Sequence, residues 1–139
     1  MLLGDRLREN SSKLIEEVEE NNRLMDQKVI KYYSETLYDL SMQGRATFSL
    51  DWRDDVEGIA DGNTMRYMKQ DGTKIDKDTV NYTKLMNEKI IEAFEKEGIN
   101  ASYDGMRPTL THENNILCGT VIKLEIGRAH VWTPVTSTI

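Results

Sequence analysis

The sequence predicts an α+β domain built in the order helix, strand, irregular insertion, helix, strand, strand. Three observations carry that prediction. Ala46, Phe48, Leu50 and Trp52 alternate with Arg45, Thr47, Ser49 and Asp51, a period of two that puts four apolar side chains on one face of a strand. Leu3, Leu7, Leu14, Val18, Met25, Val29, Tyr33, Leu37 and Leu40 recur at helical steps, and 5–42 holds neither Gly nor Pro. Tyr82, Met86, Ile90, Ala93 and Phe94 share one broad face of a second helix over 79–97. The alternating strand is the floor, and the helices are its cover.

The first helix is long or broken. Its early apolar steps of seven pass over Asn10, Ser11, Asn21 and Asn22. Asn is a good N-cap, which places a break near 21–22 and makes 1–22 a helical extension to a single domain over 23–126. Gly44 stands where a helix ends on a left-handed residue. The stretch 53–78 is an irregular insertion with Gly58, Gly62 and Gly72. Within it, 64–75 reads as a small hairpin on a type I′ turn at Asp71-Gly72, leaning on the core through Met65, Tyr67 or Ile75.

Thr79 is the expected cap of the second helix, with Asp76 and Asp78 favouring the positive end of its dipole. Gly98 closes it, and Ile99 takes the apolar position after a Schellman cap. Ile99, Ala101 and Tyr103 alternate as a second strand; 116–126 is a third, with Ile116, Cys118, Ile122, Leu124 and Ile126 on one face. The second and third strands pair antiparallel, and a β-α-β crossover joins the first strand to the second.

Charge and composition exclude some functions. With 24 acids against 18 bases and a net charge of −6, the overall field repels nucleic acid and anionic lipid. No apolar run reaches membrane-spanning length, and 1–9 carries charges where a signal peptide is apolar, so the expected place is the cytoplasm, with no membrane partner. The single cysteine, Cys118, has no second thiol for a disulfide or a metal. No cofactor is expected.

Residues 125–136, Glu-Ile-Gly-Arg-Ala-His-Val-Trp-Thr-Pro-Val-Thr, resemble the in-frame translation of a short-read sequencing adapter with TGA read as tryptophan. That resemblance implies that 127–139 is a non-native, disordered tail and that the native third strand continues into other residues. The layout before the tail faintly resembles small uncharacterised bacteriophage proteins. A phage resemblance implies an origin, and the host-cell cytoplasm, but no chemistry.

Four groups of side chains are candidates for chemistry. Asp51, Asp54, Asp55 and Glu57 follow the first strand, and converging carboxylates there would hold Mg²⁺ for a small metal-dependent enzyme; a solvated turn whose Asp caps a short helix over 54–60 explains them as well. Arg66, Tyr67, Lys69 and Lys74, joined by Trp52 and Arg53, would stack on and pair with single-stranded nucleic acid, against six acids in the same region. His112-Glu113 offers an imidazole beside a carboxylate without a nucleophile. Leu7, Leu14 and Val18 offer an apolar stripe to a partner helix or to a second copy. Nothing in the sequence assembles a nucleophile, a base and an oxyanion site. The expected function is therefore a non-enzymatic protein–protein interaction module, with the metal enzyme as alternative and nucleic-acid binding as a distant third.

Overall fold

In a computed structural model of the protein, residues 2–62, 64–104, 109–110, 116–117 and 119–127 are described, with backbone alone at 109–110 and 116–117. Helix α1 spans Leu3–Met42 without a break. At 1.5 Å per residue it is about 60 Å long, and it ends as expected. Gly44, at φ 85°, donates to Ser41 O at 2.9 Å, and Arg45 donates to Leu40 O at 3.3 Å, the two bonds of a Schellman cap.

Strand β1, Thr47–Asp51, follows at once. After it come the single-turn helix α2, Val56–Ile59, then helix α3, Tyr82–Lys96, and strand β2, Asn100–Tyr103. Strands β3, Thr109–Leu110, and β4, Ile116–Leu117, pair with each other; β5, Val121–Glu125, closes the fold. The main sheet has the order β1-β5-β2, with β5 antiparallel to both neighbours. The β1-α3-β2 crossover therefore joins two parallel strands with β5 inserted between them.

The register explains the two-layer build. Phe48 pairs with Leu124 and Leu50 with Ile122, while Ala101 faces Leu124 from the other side; Phe48, Ile122 and Leu124 are buried. The opposite face carries Thr47, Ser49, Lys123 and Ser102, so only one face needs a cover. Met25, Val29 and Tyr33 of α1 and Met86, Ile90 and Phe94 of α3 supply it.

Three local expectations are corrected. Helix α3 begins at Tyr82 after Asn81, at φ 61°, not at Thr79. Thr79 instead accepts the Asp76 N–H at 2.9 Å and closes the preceding turn. The run 116–126 is two strands, because around Gly119 the backbone is taken by side chains: its N–H donates to the Tyr103 hydroxyl and its carbonyl accepts from Asn87. The hairpin turn holds three residues, Gln70, Asp71 and Gly72, inside a Lys69–Thr73 bond of 2.9 Å. A type I′ turn needs positive φ at both Asp71 and Gly72; only Gly72 has it, at 86°.

Candidate functional site

Helix α1 divides into a part that packs and a part that projects. Leu3, Leu14 and Met25 recur eleven residues apart, as do Leu7, Val18 and Val29. An eleven-residue period is 3.67 residues per turn, close enough to 3.6 that a straight helix keeps these side chains on one face. Met25, Val29 and Val18 are buried. One step further out the body ends: Leu14 is 37% exposed, Leu7 56% and Leu3 72%. The last contact is Leu14, whose Cδ1 lies 3.0 Å from where a Cβ would stand on Gly72 at the hairpin tip. Among the described residues, the projecting segment therefore carries the core stripe beyond what covers it.

Below it, the hairpin is clasped to α1 by polar side chains. Asn22 donates from Nδ2 to Met68 O at 3.0 Å and accepts the Met68 N–H at 2.8 Å; Asn21 donates to Arg66 O at 2.7 Å. The two asparagines replace a strand partner for this short ribbon. Between α1, α3 and the hairpin lies a cleft of about 590 Å³. Ile15, Val18 and Tyr67 line it with apolar surface; Asp26, Lys89, Glu92 and Lys96 add charge. Tyr67 donates to Asp26 at 2.6 Å, and Lys96 pairs with the other carboxylate oxygen at 3.0 Å. Burial first, and then the bond to Asp26, push the Tyr67 phenol above its ordinary range.

The acidic turn does not converge. Asp51 accepts from the Thr120 hydroxyl and from Arg53. Asp55 accepts from Tyr33 at 2.8 Å and from Tyr32 at 3.2 Å; it stands before α2 but makes no side-chain cap there. Glu57 pairs with Arg66 and Lys77, and the Arg66 bond holds its carboxyl below the usual range. Asp54 is exposed. Among the described residues, no three His, Cys, Asp or Glu side chains are grouped to hold a metal ion.

The hairpin presents less to solvent than its composition suggests. Arg66 and Tyr67 are buried, the guanidinium against Glu57 and the ring against α1. Lys74 is exposed and Lys69 half-buried. Trp52 is also inward: its Nε1 donates to Asn87 at 2.7 Å, and Asn87 donates on to Gly119 O at 3.2 Å. His112, Glu113, Cys118 and the tail from 128 lie outside the described residues.

Of the three stripe residues named from sequence, Leu7 is free, Leu14 touches the hairpin tip and Val18 belongs to the core. Ile15, 54% exposed at the mouth of the cleft, was missed. It falls outside the step-of-four-and-seven stripe, and only the position of α3 shows that it borders a groove. No described helix is long and apolar enough to cross a membrane. No family model, no curated protein and no solved structure matches the chain.

Proposed function

We propose that this protein is a non-enzymatic interaction module whose projecting N-terminal helix segment, residues 3–13 with Leu14 and Ile15 at its base, docks on a protein partner. One observation carries the reading: an apolar stripe in register with the core continues past the body and stays exposed at Leu3, Leu7 and, less fully, Leu14. A solvated helix has no need for leucines on the face that continues the core stripe. The separate partners of Asp51, Asp55 and Glu57 weigh against the metal-dependent alternative, and the inward Arg66 and Tyr67 weigh against nucleic acid.

Deleting residues 2–12 tests the proposal. Because everything from 5 to 17 is exposed, the shortened chain should melt as the full chain does, within the scatter of surface changes. Its association, with itself or another protein, should be lost. Unchanged association after the deletion would contradict the reading.

A further inference from the structure

We infer that the occupant of the projecting stripe is a second copy of the same helix, lying antiparallel, a proposal that rests on the interaction-module reading above. The spacing is the first reason. Leu3, Leu7, Leu14 and Val18 follow steps of four, seven and four, the same read from either end. Two copies related by a two-fold axis near Asn10 and Ser11 therefore bring Leu7 of one onto Leu14 of the other, twice. The same alignment carries each Leu3 to the other copy's Val18 level. Val18 itself is covered by its own body, so Leu3 enters the mouth of the adjoining cleft, between Ile15 and the hairpin. An isologous contact of this kind is self-complementary by construction.

Charge is the second reason, and it fixes the direction. In the segment 5–13, Arg6, Arg8 and Lys13 outnumber Asp5 and Glu9; Glu16, Glu17, Glu19 and Glu20 then make 16–20 strongly acidic. A parallel pair would set the two acidic segments side by side, which like charges oppose. The antiparallel pair sets basic tip against acidic base. On the flank of the stripe this alignment brings Arg6 next to Glu17 of the second copy, and the symmetry repeats the pair. Within one chain Arg8, Lys13 and Glu20 already have intrahelical partners at Asp5, Glu9 and Arg23. Among the described residues, neither Arg6 nor Glu17 forms an ion pair, so the two charges that meet across the axis are ones the monomer leaves unused.

The contact is small, at the lower end of specific interfaces, so a dimer dissociating on the order of 10 μM is expected. Sedimentation equilibrium of the full chain up to about 100 μM, a range set by that affinity, reads it directly. Leu7→Asp should leave the melting temperature unchanged and the protein monomeric. Arg6→Glu alone and Glu17→Arg alone should each weaken the dimer about fivefold, since two exposed pairs turn from attraction to repulsion; an equimolar mixture of the two variants should restore it. A full chain that stays monomeric overturns the second-copy proposal, and so does a dimer indifferent to Leu7→Asp. A dimer lost in Leu7→Asp but not restored in the mixture overturns the antiparallel alignment. The interaction-module reading fails separately, if the projecting face engages neither its own copy nor any other protein.

Discussion

Asn22 binds both backbone groups of Met68, 46 residues away, with its amide donating at 3.0 Å and accepting at 2.8 Å. A side-chain amide here does what a neighbouring strand does in a sheet, and it does so for a ribbon too short to be stable by itself. The hairpin in turn walls the cleft and ends at Gly72 beneath Leu14, so this pair of bonds sets where α1 leaves the body.

Asn22→Ala removes both bonds and leaves the Met68 groups half-buried without them, a loss of about 1–3 kcal/mol. Amide exchange at Met68 and Ile75 should accelerate more than exchange in β5. Uniform acceleration across the sheet would mean that the hairpin and the body unfold as one unit, with no local clasp.

Asn87 is the second polar group on which the arrangement depends. It lies on the buried face of α3, accepts from Trp52 Nε1 and donates to Gly119 O, tying the end of β1 to the start of β5. Asn87→Ala leaves an indole N–H and a carbonyl unpaired in the interior and opens a small void. The expected cost is about 2–4 kcal/mol in thermal or urea unfolding. A change below about 1 kcal/mol, the scale of an exposed site, would show that the three groups are not linked.

Alkaline pH should destabilise the fold through its buried tyrosines. Burial is the main cause raising both Tyr67 and Tyr33, aided by Asp26 and Asp55 respectively. A group whose folded pKa lies above its unfolded value lends its full contribution below the unfolded value, near 10 for tyrosine, and loses it as pH rises further. Stability should therefore be level up to about pH 10 and then fall, each tyrosine contributing at most about 1.4 kcal/mol per pH unit. Tyr67→Phe should remove that residue's own share of the slope, at most about 1.4 kcal/mol per pH unit, in urea unfolding followed from about pH 9 to 11, a window set by the tyrosine value. An unchanged slope would mean that Tyr67 ionises freely in the folded protein.

The elements were legible because their signals are local and periodic. Phe48 and Leu50 alternate, α3 keeps its stripe, and Gly44 and Gly98 end their helices with Schellman bonds, including Ile99 to Phe94 O at 3.1 Å. The contacts that join the elements leave no such trace. Asn21 and Asn22 read as a helix break because asparagine favours caps; their amides instead serve a ribbon far along the chain, and nothing in the period of α1 announces that. Nothing in the sequence around Asn87 marks the Trp52 and Gly119 groups that it joins. Gly119 interrupts an apolar run whose pattern continues through it, so one strand was read where two lie. At the candidate site, the stripe was visible but its division was not. Whether Leu7 or Val18 is free depends on where the hairpin stops, a fact of tertiary packing.

The central claim is that the Leu3–Leu7 face, and not the opposite face of the same helix, makes contact. A photoreactive phenylalanine analogue placed at Leu7, with the same analogue at Asp5 as the control, tests it most directly in the producing cell. The account predicts a discrete adduct from position 7, either with another copy or with a different protein, and none from position 5, because Asp5 lies on the far side of a helix whose stripe runs through Leu3 and Leu7. No adduct from position 7, or equal adducts from both, would contradict it.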